Sequence, residues 1–383
     1  MISEKQFQTL AQKEAPNLVS IYIPTYRAAH NQEDQLRFKN ALKTAGSQLA
    51  QAGMKDNDAD RYLRPAYDLL EQERFWSYLS DGLAVFIGPE GFFHQEILPV
   101  TFEEFVQVGN HFHLSPMLPV LGGRNRFFLL ALSQNKIRFF EGDQYSITPV
   151  KIDDLLPADG IESAFVLSDT PDALQHHSGG TEGSGNAVYH GQGKGQDDKK
   201  EDIKAYFREV NKGLMEMLYD EHPPMVVACV DYLLPLYQEV NDYKYLHGQN
   251  VSGNPDDADP ALLHEKAWAI VSKHFEADQE AAKERFQSAM AAEKASAAPQ
   301  KIIPAAAYEK IETLFLRKGE HLFGQFDYQN NELSVAEEQT HKNRDLLDLA
   351  AVQTHLNGGR VYWLDAEEMP VPTASANAIY RFE

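Results

Sequence analysis

Residues 171–196 constrain the fold more than any other stretch of this chain, because they contain almost no large apolar side chain. Seven glycines lie between Gly179 and Gly195, and the stretch ends in HGQGKGQ (190–196) before a charged helical pattern. Loops of this length inside compact domains are uncommon and are usually functional or disordered. Glycine lets the backbone approach a ligand closely. The stretch is therefore the leading candidate for a functional site, a glycine loop that enters a narrow polar cavity.

Two other interpretations of the loop stay open. A dinucleotide-binding GxGxxG motif requires a preceding strand and a following helix within a βαβ unit. Here the spacing is GxGxG, and no Lys-Ser or Lys-Thr pair follows as it does in a P-loop. The second alternative is a disordered linker without function.

The charge of the chain restricts its partners. A formal net charge of −22 and a pI near 5.0 argue against nonspecific binding of nucleic acid, and we expect no DNA partner. A local basic patch remains possible on an acidic chain. Lysine and arginine cluster at and after the glycine loop, interleaved with acidic residues, so a solvated helix face is the alternative interpretation. The cluster consists of Lys194, Lys199, Lys200, Lys204, Arg208 and Lys212.

Several classes of site find little support. No apolar run approaches the roughly 20 residues that span a bilayer, so we expect a cytoplasmic protein without a membrane partner. A single cysteine, Cys229, excludes an intrachain disulfide and a multi-cysteine metal site. The histidine pairs His111/His113 and His176/His177 lack the spacing of metal ligands, and we expect them on the surface or in loops. No Ser/His/Asp arrangement is recognisable, and we expect neither a metal nor a cofactor.

The pattern of elements predicts an α/β protein of three domains. Strands are expected at 18–24 and 161–169, a hairpin with a third strand over 126–150, and helices over 198–218 and 304–318. Prolines and a Gly-Gly pair mark the two boundaries. The expected domains are an N-terminal domain (1–123), a middle domain carrying the loop 171–196 (124–221), and a C-terminal α/β domain (222–383).

Five segments resemble the bacterial relatives of the archaeo-eukaryotic class I release factors and Pelota, including ribosome hibernation factors of that group. They are LVSIYIP (18–24), DGLAVFIG (81–88), FFLLALSQNKIRFFEGDQY (127–145), HGQGKGQ (190–196) and residues 343–382. The resemblance implies a three-domain release-factor/Pelota-like architecture. Its middle domain has a ribonuclease-H-like fold, and its C-terminal domain is an α/β sandwich like that of kink-turn-binding proteins.

The chain departs from release factors at two motifs. Those factors carry Gly-Gly-Gln, whose glycines reach the peptidyl transferase centre and whose glutamine helps to place the hydrolytic water. Here Lys194 separates Gly193 from Gly195, so the sequence reads Gly-Lys-Gly-Gln. The stop-codon-reading Asn-Ile-Lys-Ser is absent, and its nearest counterpart, residues 40–44, lies in an apparently ordinary helix.

The resemblance therefore implies a tRNA mimic that occupies the A site of idle 70S ribosomes, against 16S and 23S rRNA, and protects or silences them without reading a codon. Elongation factor Tu or another translational GTPase is a possible second partner. The alternative is peptidyl-tRNA hydrolysis promoted by Gln196. A ribosome-independent RNA-processing domain is the weakest hypothesis, resting on fold alone. The residues expected to contact rRNA at the peptidyl transferase centre are His190, Gly191, Gln192, Gly193, Lys194, Gly195, Gln196, Lys199, Lys200 and Arg208.

Overall fold

The computed structural model of the chain describes residues 2–27, 31–121, 125–134, 136–156 and 194–381, with the backbone alone at 31 and at 194–198. The chain divides into two compact units. The discontinuous unit combines residues 1–124 with 277–383, and the middle unit comprises residues 125–276. Both units mix helices with sheets, so the predicted α/β class is confirmed.

The first 124 residues form an antiparallel sheet with helices packed on one face. The strand order is β3-β2-β1-β4, with β1 in the interior of the sheet. Val19, Ile21 and Ile23 alternate along β1 and pack against Phe38 and Leu42 of α2. The elements are α1 (Glu4–Ala11), β1 (Glu14–Pro24), α2 (Asn31–Gln51), α3 (Asp56–Tyr62), α4 (Arg64–Leu70), α5 (Glu73–Trp76), β2 (Gly82–Ile87), β3 (Phe93–Leu98) and β4 (Phe105–His111).

The middle unit is built on a five-stranded mixed sheet. Its elements are β5 (Phe127–Leu132), β6 (Ile137–Gly142), β7 (Ile147–Val150), α6 (Lys194–Met217), β8 (Met225–Cys229), α7 (Leu233–Gln238), β9 (Leu246–Ser252) and the first half of α8 (Pro260–Ala291). The strand order is β7-β6-β5-β8-β9; the first three strands are antiparallel neighbours, whereas β5, β8 and β9 run parallel. This is the order of a ribonuclease-H-like fold, as the resemblance implies.

The two faces of this sheet are covered by different helices. Phe128, Leu130 and Leu132 of β5 point towards α6 and α7. Phe127 and Leu129 point the other way, into a smaller core that includes residues of α8. Both faces are buried, as is usual for strands connected by helical crossovers.

The expected domain boundary at residue 222 falls inside this sheet. Strand β8 begins three residues later and pairs in parallel with β5, in register from Phe128 opposite Met225. Parallel neighbours need a crossover connection, and α6 supplies it. Pro223 and Pro224 therefore form the turn from the crossover helix into β8. The strand predicted at 161–169 lies outside the described residues.

The remainder of the discontinuous unit is a second α/β layer structure. Its elements are β10 (Ala295–Ser296), α9 (Pro299–Ala307), β11 (Ile311–Arg317), β12 (Phe323–Asp327), β13 (Glu332–Val335), β14 (Arg344–Asp345), α10 (Leu346–Leu356), β15 (Arg360–Leu364) and β16 (Ala376–Tyr380). Phe315 packs against Phe286 of α8, while Leu314 and Leu316 point to the other face and are also buried. The sheet β10-β16-β11-β15 is thus covered on both faces. A three-stranded sheet, β13-β12-β14, accompanies it.

The helix predicted over 304–318 is wrong. Helix α9 ends at Ala307, Glu309 adopts a left-handed φ of 64°, and strand β11 follows. The apolar run from Ile311 to Leu316 is almost continuous, and such short buried runs do not distinguish a helix from an interior strand. None of the helices in the described residues has both the length and the apolar character that a bilayer span requires.

Replacing Phe207 of α6 by alanine is expected to destabilise the middle unit by about 3–5 kcal/mol, because the side chain is fully buried and packs against Tyr237 at 5.8 Å between ring centroids. Urea unfolding of the full chain, followed by far-UV circular dichroism, measures the change. Arg208→Ala, one residue along and exposed, is the matched control and should change the free energy by less than about 0.5 kcal/mol. Equal effects of the two variants would contradict the placement of this helix face.

Candidate functional site

The end of the predicted glycine loop is helical. Helix α6 begins at Lys194, so Lys194, Gly195 and Gln196 form its first turn, instead of lying in a loop that precedes a helix at 198. Asp197 and Asp198 favour a helix start here, because acidic side chains stabilise the positive N-terminal end of the helix dipole. The side chains of these five residues, and all of His190, Gly191, Gln192 and Gly193, lie outside what the structure describes.

The described buried side chains of helix α6 begin well inside the helix. They start at Ile203 and continue with Tyr206, Phe207, Val210 and Leu214, whereas none of the side chains described from 199 to 202 is buried. Ile203 follows Lys194 by nine residues, which correspond to about 13 Å along the helix. We call residues 194–202 the arm. The arm begins with Lys194, Gly195 and Gln196, the last three residues of the Gly-Lys-Gly-Gln sequence.

The basic residues of α6 do not form one patch. A helix rotates about 100° per residue, so Lys199 and Arg208, nine positions apart, lie on opposite faces. Lys200, by contrast, shares a stripe with Arg208, since both belong to a series at intervals of four residues. That stripe is Lys200, Lys204, Arg208 and Lys212. The spacing is visible in the sequence, and it separates Lys199 from the other cations.

Lys204 forms two ion pairs within the protein, so its ammonium group is not available to a ligand. Its Nζ lies 2.8 Å from Glu201 and 2.8 Å from Glu239, which follows α7. These hydrogen bonds raise the pKa of Lys204, and the one from Lys204 lowers that of Glu201. The pair with Glu239 also fastens α6 where the arm ends. Lys199, Lys200 and Arg208 are exposed.

The described residues that flank segment 157–193 lie far apart along helix α6. Leu155, just before it, packs so closely on Gly213 that a Cβ there would lie 1.9 Å from the Leu155 carbonyl oxygen. The segment ends at Lys194, nineteen residues earlier along the same helix. The two anchoring positions are therefore about 28 Å apart along α6.

The carboxyl edge of the parallel strands carries no catalytic cluster in the described residues. Asp231 accepts hydrogen bonds from Ser252 (2.6 Å) and Asn250 (3.1 Å), so its carboxylate is already occupied. Burial raises the pKa of Cys229 to about 11, which leaves the thiol protonated. No group of three or more metal-ligating side chains occurs in the part of the chain that the structure describes. RNA processing by bound metal ions therefore gains no support here.

The counterpart of the codon-reading motif is part of a regular helix. Residues 40–44 lie within α2, where Ala41 and Leu42 are buried and the Thr44 hydroxyl donates to the Asn40 carbonyl at 3.2 Å. This packing matches the ordinary helix expected from the sequence.

A second cluster, which the sequence did not predict, joins the two parts of the discontinuous unit. It consists of Phe105, His113, His321, Asp345 and Asp348, and we call it the imidazole cluster. The three rings form a triangle, with centroid distances of 4.4 Å from Phe105 to His113, 5.2 Å from Phe105 to His321 and 6.0 Å between the two imidazoles. The His113 and Asp348 side chains are each 3% exposed and approach to 3.5 Å. His113 lies in a loop, one of the two placements expected for it, but this loop position is buried. No local pattern reveals partners more than 200 residues apart.

The two carboxylates of the imidazole cluster are saturated by local donors. Asp348 accepts the backbone N–H groups of Leu114 and Ser115 at 2.7 Å each, and Asp345 accepts that of Leu347, which caps α10. Asp345 also lies 2.7 Å from Nδ1 of His321, and this hydrogen bond raises the pKa of His321. Burial lowers the pKa of His113 against the opposing effect of Asp348. One imidazole is thus biased towards its charged form and the other towards its neutral form.

Residues 127–273 match the sequence model of the bacterial archaeo-eukaryotic release factor family 7. The match extends from β5 into α8 and includes the glycine loop and all of α6. No curated protein is similar enough to match the chain.

Similar solved structures include three archaeal proteins. The translation termination factor aRF1 is 15% identical, with 100% of this chain and 99% of that chain covered and a TM-score of 0.24. Pelota from Archaeoglobus fulgidus is 12% identical, with 79% and 80% covered and a TM-score of 0.30. A model of ribosome-bound archaeal Pelota and ABCE1 is 10% identical, with 99% and 94% covered and a TM-score of 0.39. All three identities and TM-scores are low.

The two imidazoles should give stability opposite pH dependences. Protonated His321 stabilises the fold fully below its unfolded pKa near 6.5, and this contribution is lost as pH rises through the raised folded pKa. Neutral His113 stabilises it above pH 6.5, and its contribution is lost as pH falls through the lowered folded pKa. The free energy of unfolding of the wild type minus that of His321→Gln should therefore fall between about pH 6 and pH 8. The same difference for His113→Gln should rise with pH up to about 6.5. Urea titrations across this range measure both, and slopes of equal sign would contradict the assignment.

Proposed function

We propose that this chain is a cytoplasmic, ribosome-binding translation factor that occupies the A site of idle 70S ribosomes as a tRNA mimic, similar to the hibernation factor Balon. In this proposal the glycine loop and the arm enter the peptidyl transferase centre without codon reading, and translation is inhibited while the ribosome is protected. The geometry of α6 is the observation that carries the proposal.

Two properties of α6 support this role. It starts within the Gly-Lys-Gly-Gln sequence, at Lys194, and its first described buried side chain, Ile203, lies about 13 Å further along the helix. A helix is stiff over this length, so in this proposal the arm would present residues 190–196 as a probe that the middle unit positions. The match of residues 127–273 to the release factor family supports a ribosomal target for the probe.

The cations of α6 would contact rRNA phosphates in this proposal. Lys200 and Arg208 lie on one stripe and Lys199 on the other side, so the arm would touch phosphates on both of its sides. Such contacts position a protein without reading sequence. Residues 190–193 and the side chains of Lys194, Gly195 and Gln196 complete the proposed contact surface.

Two finer points belong to the proposal. Residues 18–24 and 81–88, in the N-terminal part, would face the decoding centre and 16S rRNA. Residues 343–382 would face a translational GTPase such as elongation factor Tu. Both rest on the resemblance of those segments to release factors, and co-purification of the chain with elongation factor Tu tests the second.

Ribosome pelleting tests the proposal. The chain should co-sediment with vacant 70S particles at moderate salt, and Lys199→Glu with Lys200→Glu should weaken binding by roughly tenfold or more, because each reverses a proposed phosphate contact. Lys244→Glu with Lys273→Glu, two exposed lysines elsewhere on the middle unit, is the matched control for net charge and should bind as the wild type does. Absence of co-sedimentation of the wild type, or equal weakening by the control, would overturn the proposal.

The placement of Gln196 in the first turn of the arm favours one alternative, peptidyl-tRNA hydrolysis for rescue or termination. In that case the amide would help to place the attacking water at the ester. Release of labelled peptide from stalled ribosomes, wild type against Gln196→Ala, separates the alternatives. Release that disappears in Gln196→Ala supports hydrolysis, whereas background release by both proteins, with ribosome binding retained, supports hibernation.

A further inference from the structure

A cavity of about 400 Å³ opens beside the imidazole cluster, within the discontinuous unit. Its apolar walls are provided by Phe105, Pro116, Pro119 and Trp363. Charged side chains reach the cavity from the β3–β4 loop and from the β11–β12 loop. This volume lies in the range of small-molecule sites, which combine apolar walls with a few polar groups. The proposed ribosomal role makes no use of the cavity.

The cavity contains a buried polar atom that lacks a partner. His113 lines it and is 3% exposed, yet its Nδ1 has no hydrogen-bond partner, since Asp348 lies at 3.5 Å in poor geometry. A buried donor or acceptor without a partner costs free energy. The imidazole thus provides a polar group in a wall that is otherwise largely apolar.

The charges around the cavity select the kind of ligand. Three lining cationic groups already have carboxylate partners, namely Arg317 with Glu320, Lys318 with Asp365 at 2.8 Å, and the His321 imidazole with Asp345 at 2.7 Å. Among the lining carboxylates Glu104 is paired with Arg37 at 2.9 Å, and those of the imidazole cluster are saturated by their donors. Glu103 lines the cavity with neither an ion pair nor a hydrogen bond in the described part of the chain. The unbalanced charge is therefore negative.

We propose that this cavity binds a small organic cation, an ammonium or guanidinium group on an apolar stem. The stem would lie against Phe105 and Trp363, and the charged head would pair with Glu103, with the imidazole of His113 in the cavity wall.

Titration of the full chain with n-butylguanidinium tests the proposal, with the uncharged isostere n-butylurea as the ligand control. Isothermal titration calorimetry should give saturable binding with a dissociation constant on the order of 1 mM, which a ligand of this size allows. The imidazole ¹H–¹⁵N signals of His113 should shift on binding. Butylurea should bind at least roughly threefold more weakly, because it lacks the charge that pairs with Glu103.

Glu103→Gln should weaken butylguanidinium binding by roughly fivefold, the upper range for an exposed ion pair. Glu332→Gln, an exposed glutamate of the same unit that does not line the cavity, is the matched control for net charge and should change binding by less than about twofold. Near-UV circular dichroism verifies that both variants fold. No saturable binding by the wild type, equal binding of the urea, or equal effects of the two variants would overturn the proposal.

Discussion

Helix α6 is attached to its sheet by an apolar face that starts at Ile203, nine residues after the helix itself begins. Everything proposed for the glycine sequence depends on this offset. Burial of Ile203, Phe207 and Val210 against β5 and β8 fixes the direction of the helix axis. The hydrogen-bonded backbone of α6 continues that direction through the arm to Lys194. The parallel pairing of β5 with β8 makes the crossover obligatory, so the position of the arm follows from the sheet topology.

The discontinuous unit depends on a different kind of interaction. Asp348 of α10 accepts two backbone N–H groups from the turn at Leu114 and Ser115, and so bonds the end of the N-terminal sheet to a helix more than 200 residues away. A buried carboxylate is costly unless donors surround it. Its two backbone donors, with Arg344 at 3.4 Å, meet that requirement. These donors do not include His113, whose Nδ1 has no hydrogen-bond partner. The same imidazole lines the cavity that is proposed to bind a cation.

The sequence predicted the elements whose signals are local. The hairpin of β5 and β6 was predicted because two short apolar runs flank a polar turn of a few residues. The sequence was a weaker guide to which of these elements belong to the same sheet. Pro223-Pro224 reads as a boundary because proline interrupts regular structure, but the interruption here lies between a crossover helix and its strand. The His113–Asp348 contact depends on tertiary structure alone, so no spacing in the chain encodes it. The first turn of α6 was missed because Gly195 has a low helix propensity, about 1 kcal/mol below alanine, whereas Asp197 and Asp198 favour the helix start.

The arm is as mixed in charge as the rest of the chain. Three lysines and four carboxylates, those of Lys194, Asp197, Asp198, Lys199, Lys200, Glu201 and Asp202, give it a net charge of −1. Lys199 and Lys200 lie only about 5 to 6 Å along the helix from Ile203, which is less than the screening length of about 8 Å at physiological ionic strength. Neither the arm nor the chain as a whole, with its net charge of −22, therefore attracts polyanions by net charge. In the ribosomal proposal phosphate contacts are made by single lysine side chains among carboxylates. Nonspecific RNA binding is then opposed over the whole surface, and the fit of the arm to its site has to provide the selectivity.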